Sequence, residues 1–123
     1  MDNARTIAAA IIATALLGTP LSASEVYDTG SPYDGQVVDE SPNRVIIRFT
    51  EPVQFEWATL EDGAGRKIDI KYGFPEDDTD QISVRVPDVL PPGDYFLRWM
   101  VYVTAHRHQD DGVVRFTVRP PAR

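Results

Sequence analysis

Residues 94–104 alternate without a break: Tyr95, Leu97, Trp99, Val101 and Val103 fall on one side, Phe96, Arg98, Met100 and Tyr102 on the other. A period of two over such a length predicts a β-strand with one face buried. Shorter stretches repeat the theme. Residues 44–49 (RVIIRF) and 57–60 are rich in β-branched and large apolar side chains, residues 66–72 (RKIDIKY) and 81–86 (QISVRV) alternate, and residues 113–118 end the pattern. No stretch beyond residue 23 carries a helical period. Turn residues separate the runs: Ser31-Pro32-Tyr33-Asp34-Gly35, Glu61-Asp62-Gly63-Ala64-Gly65 and Leu90-Pro91-Pro92-Gly93. About seven short strands in about one hundred residues predict a small antiparallel β-sandwich or barrel, in one domain and without internal repeats.

The start of the chain breaks this pattern. Arg5 gives a minimal positive start, residues 7–17 are an apolar run, and Leu21-Ser22-Ala23 supplies small residues before a cut. That is the layout of a secretory signal peptide over residues 1–23, with cleavage near Ala23 leaving Ser24 first and no membrane insertion afterwards. The apolar run is shorter than the ~20 residues that span a bilayer. The domain is expected over residues 24–119, followed by a flexible tail at 120–123 with its prolines. The chain has no cysteine, so an exported domain must rely on apolar packing, and thiolate chemistry is excluded. A formal net charge of -7 argues against nucleic acid or an anionic membrane as partner and makes a cation the more natural one.

The only two histidines, His106 and His108, sit one residue apart where the long alternating run ends. On extended backbone their rings point the same way and can close on one ion. Two imidazoles do not satisfy a divalent metal, so a carboxylate or an amine from elsewhere must join them. Asp110 and Asp111 follow directly, either lowering the local potential for a cation or beginning a turn into Gly112. Trp99 is expected in the core, and Phe55, Trp57 and Phe74 at its edge. The acidic run Glu76, Asp77, Asp78 and Asp80 lacks the ligand spacing of a calcium loop and reads as a solvated hairpin tip. A nucleophile elbow, a P-loop and an HExxH helix are absent, and no enzyme activity is expected.

Three segments, in order, resemble the CopC-type (PcoC) periplasmic copper-resistance proteins. Ser31-Pro32-Tyr33-Asp34-Gly35 is similar to the family's S/T-P-x-D/E-G, and the strand from Val45 through Phe49-Thr50-Glu51-Pro52-Val53 to its F-S/T-E-P-V. Leu90-Pro91-Pro92-Gly93-Asp94-Tyr95, Trp99, residues 104–112 and Phe116-Thr117-Val118 resemble L-P-P-G-x-Y-x-V-x-W, S-A-D-G-H-P-V-S-G and F-x-V. The resemblance implies an all-β, Ig-like Greek-key sandwich of the cupredoxin-like CopC type, a periplasmic location, copper as the bound ion and a CopD-type inner-membrane protein as partner. In the family, Cu(II) is held by an N-terminal histidine through its amine and ring and by the aspartate and histidine of D-G-H, with the glutamate of E-P-V close by. Carried over, His108 matches the histidine and Glu51 the glutamate, while His106 replaces the aspartate and Arg107 the glycine. Ser24 stands where the N-terminal histidine would be, leaving only its amine. The methionine-rich segment of some members is missing, since beyond Met1 the chain has only Met100. The expected site is therefore Glu51, His106, His108 and the Ser24 amine, an N/O set that suits Cu(II) and tolerates Zn(II). The expected role is to buffer or deliver Cu(II); a sandwich that docks on a transporter or another exported protein without metal is the alternative. A copper oxidase built on an N-terminal histidine brace is not supported, because no histidine lies near the cut.

Overall fold

The computed structural model of the protein describes residues 24–120, so the expected signal peptide and all but the first residue of the tail lie outside the described residues. Seven strands follow one another, β1 (Tyr27–Ser31), β2 (Gln36–Val38), β3 (Arg44–Asp62), β4 (Lys67–Ile68), β5 (Thr79–Arg85), β6 (Gly93–Val103) and β7 (His108–Val118), with no helix among the described residues. The predicted strands at 44–49 and 57–60 are one continuous strand, β3. Its first half pairs antiparallel with β1 and β5; from Gln54 on it pairs antiparallel with β6, and near its end with β4. The register shifts between Arg48 and Val53 and again between Phe55 and Trp57, so β3 crosses from one sheet to the other around Glu51 and Pro52. Pro52 has no N–H for a ladder, which suits the point where pairing is interrupted.

The inner faces meet in a core of Val45, Ile47, Phe49, Ile82 and Val84 from one sheet and Leu60, Leu97, Trp99, Val101, Val114 and Phe116 from the other. Trp99 is fully buried, with Phe49 edge-on at 5.1 Å and Tyr27 stacked at 6.5 Å between centroids. Its indole Nε1 is buried without a hydrogen-bond partner. The expected edge position holds for Phe55, which is buried and packs on Tyr72 and Phe74. Trp57 and Phe74 are instead exposed, at 40% and 64%. The register shift after Phe55 turns Trp57 to the outer face, opposite Met100. Glu76, Asp77 and Asp78 are exposed in the segment before β5, as a solvated tip should be.

β1 and β2 carry no alternating signal; the turn between them positions them. Asp34 Oδ1 accepts hydrogen bonds from the Arg115 backbone N–H (3.0 Å) and Nε (3.2 Å), and Oδ2 faces Nη2 at 3.0 Å. Gly35 follows in the left-handed region at φ 91°, and its N–H reaches the Arg115 carbonyl. This clamp starts the parallel pairing of β2 with β7 at Gln36 and Phe116. Burial pushes the Asp34 carboxyl up, but the Arg115 hydrogen bonds and charge overcome it and hold the group below its ordinary value. A carboxyl depressed in the folded state stabilises the fold above its unfolded pKa, and that stability is lost as pH falls through the folded value. Asp34→Asn should therefore cost about 1.5–3 kcal/mol at neutral pH, the range for hydrogen bonds to a charged group. In urea unfolding, the gap between variant and parent should close as the pH falls below the ordinary carboxylate range.

Candidate metal centre

The histidines lie in the hairpin that joins β6 to β7. Val103 pairs with His108 to close it, and the N–H groups of His106 and Arg107 both reach back to the Val103 carbonyl, at 3.2 and 2.8 Å. Residues 104–107 are a turn, so only His108 is on extended backbone. This corrects the expectation that strand alternation aims both rings. The turn does it instead: the rings stack with centroids 5.9 Å apart and planes inclined by 25°. Arg107, between them, has φ 58°, the left-handed region that favours glycine and costs other residues about 1–2 kcal/mol. Arg107→Gly should raise stability by roughly 0.5–1 kcal/mol, read as a higher thermal midpoint.

His106 Nε2 stands 3.1 Å from both Glu51 oxygens, although the two residues are 55 positions apart. The crossing of β3 brings Glu51 to the tip of the β6–β7 hairpin. Beside this contact, Gln109 Nε2 donates to Glu56 Oε1 at 2.6 Å, a second rung between β3 and the hairpin. His108 Nδ1 is 3.0 Å from the Gln109 carbonyl oxygen. A proton on Nδ1 satisfies that oxygen and leaves Nε2 with a free lone pair, the arrangement common in metal-binding imidazoles.

Ser24 is tied to β7 near its start. Its Oγ donates to Asp110 Oδ2 at 2.6 Å and accepts from the N–H of Tyr27 at 3.0 Å, while the Val26 N–H reaches the same Asp110 oxygen at 3.3 Å. Asp110 is two residues beyond His108 on β7 and opposite Val101, so it shares the side of the strand that His108 begins. Asp110 and Asp111 thus do not open a turn into Gly112: all three lie within β7, with Gly112 opposite Trp99. The anchoring role of Asp110 was missed from sequence. Its signal was the two-residue spacing from His108, which becomes legible once β7 is known to start there.

The donors present are one carboxylate and two imidazoles, all exposed or half-buried. Two donors of one ion at ~2 Å stand about 2.8–3.4 Å apart for angles between square-planar and tetrahedral. The contact between Glu51 and His106 falls in that span. Among the described residues, no group of three histidine, aspartate or glutamate side chains is already gathered for a metal, so the free Nε2 of His108 has to move closer to join the pair. A hollow of about 620 Å³ lies away from the histidines, lined by Arg66, Asp88, Leu90, Pro92 and Tyr95 among others.

The CopC domain family model matches residues 27–119. No curated protein matches the chain. Among solved structures, CopC from Methylosinus trichosporium OB3b is similar at 23% identity and TM-score 0.67, covering 80% of this chain and 96% of that one. PcoC from Escherichia coli, a methionine-rich copper resistance protein, is similar at 19% identity and TM-score 0.62, covering 76% of this chain and 97% of that one. At these identities the structural likeness establishes the fold, a cupredoxin-like β-sandwich.

Proposed function

The chain belongs to the CopC domain family, and on that premise we propose that it is a non-catalytic, exported copper-binding protein that buffers or delivers Cu(II) in the periplasm. The observation that carries this reading is the contact of His106 with Glu51, made at the crossing point of β3 by residues distant in sequence. The ligands are Glu51, His106 and His108, completed by the Ser24 amine once the signal segment is removed after Ala23. These nitrogen and oxygen donors favour Cu(II), with Zn(II) bound more weakly in the general affinity order. Methionine-based Cu(I) binding is unsupported, because Met100 is the sole methionine beyond Met1 and lies on β6 opposite Trp57 and Asp111. A CopD-type inner-membrane protein is the proposed recipient or source of the ion.

The second reading, a sandwich that only docks on an exported or membrane partner, is favoured by one observation: among the described residues no three potential ligand side chains are gathered around one point. Calorimetric titration of the purified protein with Cu(II), then Zn(II), decides between the two. One equivalent of Cu(II), bound more tightly than Zn(II), is the expected result. Heats no different from those of buffer would leave the docking module as the surviving reading.

A further inference from the structure

Five cations among the described residues pair with carboxylates: Arg66 with Asp62, Lys67 with Glu61, Lys71 with Asp69, Arg115 with Asp34 and Arg119 with Asp39. Arg44, Arg48 and Arg85 have no such partner among the described residues, and all three project from the outer face of the β1–β3–β5 sheet. Their inward neighbours Val45, Ile47 and Val84 are fully buried, whereas the arginines are exposed. Arg44 is the direct cross-strand partner of Arg85, and Arg85 forms an isolated bridge with Lys71. Three cations thus stand in one row across three neighbouring segments, about 5 Å apart by strand spacing. Arg48 lies on the same face of β3, four residues from Arg44, opposite Gln81 on β5 and Thr29 on β1. Between them the face offers Ser31, Ile46 and Ser83, and Arg44 Nη1 donates to Ser83 Oγ at 2.6 Å, which holds its guanidinium along the sheet.

Like charges placed directly opposite on a sheet destabilise it. In a chain of net charge -7, such a row is not needed for solubility. We propose that this face is a docking surface for an extended, acidic segment of a partner protein. Cations spread along a flat face suit a chain with several carboxylates, whereas a single small oxyanion calls for donors that converge. The overall charge, with Glu76, Asp77 and Asp78 just before β5, opposes approach to an anionic bilayer or to nucleic acid. Arg44 lies roughly 20 Å along β3 from Glu51. A partner centred on the row of Arg44, Arg85 and Lys71 leaves the histidine hairpin open, so docking and ion binding are compatible.

The test uses a fluorescein-labelled decapeptide of alternating Asp and Ser, followed by fluorescence anisotropy with the purified protein at low ionic strength. Binding is expected, and it should weaken as salt is raised. Arg85→Glu should weaken binding at least about tenfold through like-charge repulsion of the peptide. The same substitution should raise the thermal midpoint, because a carboxylate then faces Arg44. Arg98→Glu, on the other sheet, should leave peptide binding unchanged. The proposal is overturned if the parent protein ignores the peptide, if Arg85→Glu binds it equally, or if vesicles containing phosphatidylglycerol are bound in its place.

Discussion

Alanine in place of Trp99 should cost the protein roughly a third or more of its folding stability. The side chain is fully buried between Phe49 and Tyr27 in the middle of the core, on the strand that pairs with both β3 and β7. Truncating a buried tryptophan costs about 3–5 kcal/mol, against a total stability of roughly 5–15 kcal/mol for a domain of this size. No disulfide compensates, since the chain has no cysteine. The milder Trp99→Phe separates two contributions. It loses part of the packing, but it also removes an indole N–H buried without a partner, a group whose desolvation costs about 1–3 kcal/mol. Urea unfolding of the two variants should therefore show a large loss for alanine and a loss of at most about 2 kcal/mol for phenylalanine. Similar large losses in both would mean that Nε1 contributes a favourable interaction.

The second large effect concerns the ion. His106→Ala and His108→Ala should each weaken Cu(II) binding about 100-fold, since even residues that merely orient a ligand are worth 10–100-fold. Glu51→Ala should act similarly through the ion. It should also free His106 to rotate, because among the described residues the Glu51 carboxylate is the only side-chain partner of that ring apart from the stacked His108. None of the three should alter folding stability by more than about 0.5–1 kcal/mol, the usual bound for exposed polar contacts and surface ion pairs. Affinity and stability are thereby separable, and a drop in both would point to a structural role for the hairpin.

Much of the sandwich is legible in the sequence because its strongest strand is amphipathic over its full length. The buried set Tyr95, Leu97, Trp99, Val101 and Val103 is the alternation read directly. What escapes is set by long-range pairing. β1 and β2 are short, polar and half-exposed, and they exist because Asp34 and Gly35 dock on Arg115. β3 reads as two strands because Glu51 interrupts its apolar alternation where the chain changes sheets, and the alternation then slips by one at Glu56-Trp57. At the site, the resemblance to the D-G-H and E-P-V patterns pointed to His108 and Glu51, with His106 in the aspartate's place, and the structure sets Glu51 against His106 while His108 bonds to Gln109. The turn geometry explains the difference. A left-handed residue at Arg107 swings His106 back over β3, a backbone feature that the arginine at this position conceals. The link between Ser24 and Asp110 was equally hidden, since it spans 86 positions and depends on β7 beginning at His108.

The ligand assignment is tested most directly by electron paramagnetic resonance of the Cu(II)-loaded protein with ¹⁵N-labelled histidine. Because His106 and His108 are the only histidines in the chain, every labelled nitrogen reports on one of them. The expected spectrum shows coupling to two imidazole nitrogens, reduced to one in each single alanine variant. A spectrum without ¹⁵N coupling, or one unchanged by either substitution, would place the copper elsewhere and contradict the assignment.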